Sequence, residues 1–118
     1  MRVRQPIWRY YEAPGGGQTA AREIAKELGG DVRLVAKLAG LQDRITSGET
    51  LPRDCTPLGD GLVEARLSVQ RNEWRLFYAV REDGLVLLAL CFAAKKSQTI
   101  PRMIKQARKR LAEWDRRV

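Results

Sequence analysis

The sequence contains no histidine, and this absence limits the chemistry available to the protein. Histidine is the side chain whose unperturbed pKa, about 6.5, lies near neutrality. Ser-His-Asp and Cys-His catalysis and most zinc sites are therefore excluded. Any proton transfer has to rely on lysine, tyrosine, glutamate or aspartate.

Cysteine is scarce as well. Cys55 lies in a loop flanked by prolines and Cys91 in an apolar run, and neither has a second ligand at metal-site spacing. We expect both to be reduced thiols without a metal. The sequence also lacks a P-loop, a G-x-G-x-x-G motif and a paired-carboxylate signature, and Gly15 to Gly17 indicate a flexible connector. We therefore expect no cofactor.

Long hydrophobic runs are missing too, so we expect no membrane span. The first residues lack the apolar region of a signal peptide, which predicts a cytoplasmic protein. A length of 118 residues allows one domain, residues 1–118, with a small core.

Positive charge is present in excess and is concentrated at one end. The chain has 22 Lys and Arg against 14 Asp and Glu; residues 91–118 contain 9 basic and 2 acidic groups, and residues 1–90 contain 13 and 12. A localised positive field attracts polyanions, so nucleic acid or an acidic protein is the expected partner. The alternative is an ordinary solvated charged face.

The middle of the chain predicts a three-stranded antiparallel meander. Residues 62–69 alternate apolar and polar side chains, residues 74–80 are rich in aromatic and β-branched types, and residues 85–94 are continuously apolar. Asp83-Gly84 is a hairpin signal before the last strand.

Helices and an edge strand surround this meander. Pro6 suits an edge strand, and Thr19 and Asp31 are suitable helix N-caps. The predicted segments are a strand at 3–12, a helical hairpin at 21–28 and 32–45, an irregular loop at 49–61 and an amphipathic helix at 99–117.

This order predicts an α+β fold with the helices on the apolar face of one sheet and the polar face open. Arg66 and Arg75 fall in the polar phase of their strands and should lie close together on that open face. Two cations on one sheet face repel unless an anion compensates them. The anion is either a ligand or a neighbouring carboxylate such as Glu64 or Glu73.

Three segments of the chain resemble HigB-like members of the RelE/ParE superfamily. They are residues 57–80 (PLGDGLVEARLSVQRNEWRLFYAV), 85–101 (LVLLALCFAAKKSQTIP) and 103–114 (MIKQARKRLAEW). These proteins are toxins of type II toxin–antitoxin modules, and phage-derived relatives share the pattern. The first 50 residues match only in arrangement. The resemblance implies a RelE-like domain and a ribosome-dependent mRNA endonuclease. It also implies neutralisation by a cognate antitoxin and binding of operator DNA by the toxin–antitoxin complex.

The resemblance also implies a site. Arg66 and Arg75 match basic positions of the family and are expected to clamp the phosphate in the transition state. Lys95 and Lys96 match the basic pair after the last strand, one of them acting as acid or electrostatic stabiliser. This pair lies one residue later than usual, and a slip of one residue would turn a side chain to the other face. Glu64 replaces a basic residue of the family and is either the general base or a partner that neutralises Arg66.

Aromatic residues have two interpretations. Tyr78 shares its strand phase with apolar residues, which favours core packing over a role as catalytic hydroxyl. Trp8, Tyr10 and Tyr11 either stack on bases or, more in line with ordinary strand composition, belong to the core or an interface.

Two rival functions remain at this point. One is a non-enzymatic ParE-type toxin of the same fold that inhibits DNA gyrase, since a long helical hairpin occurs in that branch too. The other is a basic adaptor that binds antitoxin or DNA. The group formed by Arg66, Arg75, Lys95 and Lys96 favours RNA cleavage, because a gyrase inhibitor does not need a phosphate clamp there.

Overall fold

The computed structural model of the protein describes residues 5–17, 19–96 and 99–117. In this part of the chain, three helices and five strands follow the predicted order, with one additional strand. They are β1 (Ile7–Tyr10), α1 (Ala20–Leu28), α2 (Val32–Ser47), β2 (Cys55–Gly59), β3 (Leu62–Val69), β4 (Asn72–Arg81), β5 (Val86–Ala94) and α3 (Thr99–Asp115). Residues 3 and 4, which belong to the predicted first strand, lie outside the described residues.

The strands form one mixed sheet in the order β1-β5-β4-β3-β2. The meander β3-β4-β5 is antiparallel, as its turns predict, and β1 is an edge strand that pairs with β5 in parallel. Gln70 and Arg71 form the tight β3–β4 turn, both with positive φ. This two-residue turn fixes the register between the two strands, because pairing begins at once on either side of it.

The first two helices begin and end where their capping residues predict. The Thr19 hydroxyl accepts a hydrogen bond from the backbone N–H of Arg22, and the Asp31 carboxylate accepts one from Arg33. Gly29 and Gly48 end the two helices in the left-handed conformation. The two helices then pack on different strands, α1 mainly against β5 and α2 mainly against β3.

The expectation that all helices share one face of the sheet is wrong. Trp8 and Tyr78 lie on the face that α2 covers, and the indole Nε1 of Trp8 donates to Thr46 of α2 at 3.0 Å. Cys91 lies on the opposite face, where its thiol is 3.7 Å from the carbonyl oxygen of Met103 in α3. The polar face is therefore not fully open. Helix α3 covers one end of it and leaves uncovered the end that carries Arg66 and Arg75.

The predicted irregular loop at 49–61 contains a strand, β2, which pairs with β3 at the edge of the sheet. Pro57 and Gly59 argue against a strand by composition, but an edge strand tolerates proline because one side of it has no ladder. Gly61 follows in the β2–β3 turn with φ of 79°, and a Cβ there would lie 3.0 Å from the backbone carbonyl oxygen of Val80. A side chain at this turn would therefore be strained, which favours glycine.

Beyond the end of β1, the edge of β5 is closed by an ion pair between the buried Arg110 and the part-buried Glu23. Arg110 of α3 donates to the carbonyl of Leu90 at 2.6 Å and to both carboxylate oxygens of Glu23 in α1. Glu23 also accepts from the backbone N–H of Phe92 at 3.4 Å. The ion pair thus forms hydrogen bonds with the backbone N–H of Phe92 and the backbone carbonyl of Leu90, on the part of the β5 edge that β1 does not cover. It also joins α1 to α3.

Candidate active site

The strand register places Arg66 of β3 directly opposite Arg75 of β4. Both side chains lie on the same face, as the alternation of the two strands predicts. Arg66 is partly exposed, whereas the side chain of Arg75 is only 7% exposed. Two arginines therefore occupy one rung of the sheet, and only Arg66 is open to a ligand.

Carboxylates compensate both arginines. Arg66 donates from Nη1 to Glu64 at 2.9 Å and from Nε to the carbonyl oxygen of Arg53 at 2.9 Å. Arg75 lies 3.5 Å from Glu73, and its Nε is buried without a hydrogen-bond partner among the described residues. The alternative that neighbouring carboxylates pair with the arginines is thus the one observed.

Lys95 extends this group, and Lys96 does not. The Nζ of Lys95 lies 3.4 Å from the second carboxylate oxygen of Glu73, and its backbone N–H donates to the carbonyl of Glu73. Hydrogen bonding from Lys95, followed by its charge and that of Arg75, lowers the pKa of Glu73. Lys96 is exposed and makes no ion pair among the described residues. The structure brings together four of the five predicted site residues, with Glu73 added.

A cleft of about 440 Å³ opens beside this group at the edge of β3, beyond the point where the first residue of β2 pairs with Ala65. The residues that line it are mostly charged: Lys37, Arg44, Arg53, Asp54, Arg66, Leu67, Ser68 and Glu73. One wall comes from α2 and another from the loop before β2. The cleft thus combines four cations with two carboxylates.

Asp54 holds the loop that forms one wall of this cleft. Its carboxylate accepts from the backbone N–H of Leu51 at 2.8 Å and from Nε of Arg44 at 3.1 Å. Burial alone would raise the pKa of Asp54, but the hydrogen bonds from Leu51 and Arg44 outweigh it and lower the pKa. The neighbouring Arg53 has no ion pair among the described residues, so it can meet an anion.

Sequence reasoning missed Lys37, Arg44 and Arg53. The polar phase of α2 predicts that Lys37 and Arg44 are exposed, but a helical pattern gives no information on which strand edge they face. Arg53 lies in a loop whose path the sequence does not predict. The adjacent Asp54, buried and charged, is the kind of residue that anchors a loop, but burial is visible only in the structure.

The aromatic candidates lie outside this site. Tyr78 is buried on the opposite face, its ring centroid 5.3 Å from that of Trp8 and its hydroxyl 3.9 Å from the thiol of Cys55. Burial raises the pKa of Tyr78 well above its ordinary value, so this hydroxyl is a core group. Tyr11 is buried under Arg110, whereas Tyr10 is exposed and its hydroxyl accepts from Gln42.

Across the described ranges no helix has both the length and the apolar character needed to cross a membrane. The same residues contain no cluster of three or more Cys, Asp or Glu side chains arranged to hold a metal ion.

Fold and site together define a small α+β protein with a five-stranded mixed sheet and a charged cleft at one sheet edge. The sequence matches the family model described as "Phage derived protein Gp49-like (DUF891)" over residues 19–112, and the chain therefore belongs to this family. It is a RelE-like family of toxin–antitoxin systems, its members are commonly toxins of such modules, and membership implies an antitoxin partner. No curated protein matches the sequence.

Proposed function

We propose that the protein is the toxin of a type II toxin–antitoxin module, of the HigB-like branch, and that it cleaves mRNA on the translating ribosome in the cytoplasm. The observation that supports this most is the cross-strand pair of Arg66 and Arg75 next to Lys95. Like charges directly opposite each other destabilise a sheet. Of the two, the partly exposed Arg66 lines the cleft and can hold a phosphate and stabilise its extra negative charge, whereas Arg75 is buried behind it.

The proposed chemistry is a metal-independent transesterification. The 2′-oxygen of a ribose forms a bond to the adjacent phosphorus, the bond to the 5′-oxygen breaks, and the products are a 2′,3′-cyclic phosphate and a 5′-hydroxyl. Glu64 takes the proton of the 2′-hydroxyl, and Lys95 donates a proton to the leaving 5′-oxygen. Arg66 binds the phosphate oxygens.

Arg75 acts through other residues in this proposal. Its side chain is more than nine-tenths buried and lies beside Glu73, which also contacts Lys95. Arg75 therefore positions Glu73 and, through it, the ammonium group of Lys95. The antitoxin neutralises the toxin, and the complex of the two binds operator DNA, as the resemblance to the family implies.

The test is induction of the gene in cells followed by primer extension on a translated message and on the same message without a start codon. We expect cuts in phase with codons on the translated message only. These cuts should be lost in Arg66→Ala and strongly reduced in Glu64→Gln.

Arg81→Ala is the matched control. Arg81 is a strand arginine on the same face, is exposed to a similar degree and is also ion-paired, to Asp115. It lies six residues along β4 from Arg75, a distance of about 20 Å. The control should cut like the wild type, and cleavage that survives in Arg66→Ala would contradict the proposed site.

A second candidate is a non-enzymatic toxin that binds DNA gyrase. The ion pairs of Arg66, Arg75 and Lys95 with Glu64 and Glu73 favour it, because they neutralise cations that catalysis would need. Growth arrest with intact mRNA, together with inhibition of purified gyrase in a supercoiling assay, would identify this function.

A further inference from the structure

Helix α2 has a second apolar stripe that faces solvent. The buried stripe consists of Leu34, Leu38 and Leu41. Val32, Val35, Ala36 and Ala39 are all exposed, with Val32 at 79% and Val35 at 44%. Their spacing of three, four and seven residues places them within an arc of about 100° on the helix surface. This outer stripe is the pattern that one helix presents to another.

Unpaired cations flank the outer stripe on the side of the sheet. Arg33 and Lys37 lie one turn apart and have no ion pair among the described residues. Between them and the β3–β4 turn runs a groove of about 480 Å³, lined by Arg33, Ala36, Lys37, Ser68, Val69 and Gln70. The surface therefore offers apolar contact area beside a positively charged rim.

This groove is continuous with the candidate active-site cleft. Lys37 and Ser68 line both of them. A segment seated in the groove would thus extend to the cleft that contains Arg66, and its acidic side chains would compete there with an anionic substrate.

We propose that the outer stripe of α2, together with this groove, binds an acidic amphipathic helix of the antitoxin, and that the bound helix blocks access to the candidate active site. The blocking part rests on the proposed function, whereas the docking part needs only the antitoxin partner. Apolar side chains of the helix contact Val32 and Val35, and its carboxylates pair with Arg33 and Lys37.

Charge and chemistry favour this occupant over two others. A second copy of the chain has a net charge of +8, and a symmetric contact would bring the same cations of both copies together. An RNA strand needs cations for its phosphates and gains little from exposed valines and alanines. An acidic helix satisfies both the apolar stripe and the charged rim.

The test compares Val35→Glu with Val80→Glu, two valines of similar exposure, 44% and 36%. The antitoxin is taken as the adjacent reading frame whose co-expression abolishes toxicity. Both variants should unfold close to the wild-type temperature and arrest growth when expressed alone. Co-expressed antitoxin should rescue cells with Val80→Glu and fail to rescue cells with Val35→Glu.

Calorimetry on the purified proteins supplies the second measurement. We expect the Kd for the antitoxin to rise at least tenfold in Val35→Glu and to stay unchanged in Val80→Glu. Arg33→Gln should weaken binding at low salt and reduce its salt dependence.

An unchanged Kd for the antitoxin in Val35→Glu would overturn the docking surface. It would also be overturned if the wild type is a dimer and Val35→Glu converts it to a monomer without an effect on antitoxin binding. A loss of RNA affinity in Val35→Glu with antitoxin binding intact would assign the stripe to RNA and overturn it as well. If antitoxin binding depends on Val35 but no mRNA cleavage occurs in any variant, the docking surface stands and the proposed enzymatic function fails.

Discussion

Asp54 is the residue that fixes the loop beside the candidate active-site cleft. The residue is 6% exposed, and its carboxylate accepts hydrogen bonds from Leu51 and Arg44. We expect Asp54→Asn to lower the free energy of unfolding by about 1.5–3 kcal/mol at pH 7, because a charged hydrogen bond to Arg44 is lost.

The pH dependence of this difference follows from the lowered pKa of Asp54. A carboxyl group whose pKa is lower in the folded state contributes stability above its unfolded pKa, about 4, and loses that contribution as the pH falls through the folded value. The difference between wild type and Asp54→Asn should therefore be full at pH 7 and shrink below about pH 4. Urea unfolding of both proteins at pH 7 and below about pH 4 measures the difference in the free energy of unfolding. A difference that does not change with pH would contradict this prediction.

Burial lowers the reactivity of both cysteine thiols, and most strongly that of Cys91. Burial raises the pKa of Cys91 to about 12, and it also raises the pKa of the half-buried Cys55. Since the thiolate is the reactive form, iodoacetamide at pH 8 should leave Cys91 unmodified in the native protein. Mass spectrometry after labelling, with a urea-unfolded sample as control, measures this. Modification of native Cys91 at the unfolded rate would show that the strand opens readily.

At the scale of elements, the Glu23–Arg110 pair determines how α1, β5 and α3 are joined. We expect Arg110→Met to lower the free energy of unfolding by about 1.5–3 kcal/mol, because the part-buried Glu23 is left without its partner and the carbonyl of Leu90 without its donor. The double variant Glu23→Met/Arg110→Met should regain a large part of this loss. Chemical denaturation of the two single variants and the double variant gives the coupling energy. Strictly additive losses would mean that the pair does not act as a unit.

The elements also show which predictions from sequence are dependable. The caps Thr19 and Asp31 and the apolar periods gave α1 and α2 to within two residues, because capping and periodicity are local properties. The strand β2 was missed, since its pairing with β3 is not encoded in its own composition. The side of the sheet on which α3 packs was predicted wrongly, because the packing partner of a helix is likewise not encoded in the composition of the helix.

At the scale of the whole molecule, the positive charge of the C-terminal end is displayed on the outside of α3. Arg102, Lys105, Lys109 and Arg116 line one groove and have no ion pair among the described residues. No large exposed hydrophobic side chain lies on this helix. This surface therefore suits a phosphate backbone better than an apolar protein interface.

We expect the free protein to bind RNA with an affinity that falls steeply with salt. Arg102→Gln should reduce the slope of log K against log salt by about one. Arg33→Gln, which removes an exposed arginine near the start of a different helix, should leave the slope unchanged. Fluorescence anisotropy over a salt series measures both, and equal changes in the two variants would mean that the charge acts only as a diffuse field.

The candidate site was predictable in part. The alternation of β3 and β4 placed Arg66 and Arg75 on one face, and the structure pairs them. The alternation did not predict that Arg75 is buried, that Glu73 contacts both Arg75 and Lys95, or that Lys37 reaches the cleft. These contacts join residues from different elements, so no local pattern contains them.

The sequence by itself determined the absence of imidazole chemistry, the positions and ends of the helices, the antiparallel meander and the excess of positive charge at the C-terminal end. These properties depend on composition and on the conformational preferences of neighbouring residues. Only the tertiary structure decided that the helices lie on both faces of the sheet, that carboxylates neutralise the strand arginines, and that α2 leaves an apolar stripe in solvent. Burial and ion pairing depend on which distant segments meet, and this is a property of the packed chain.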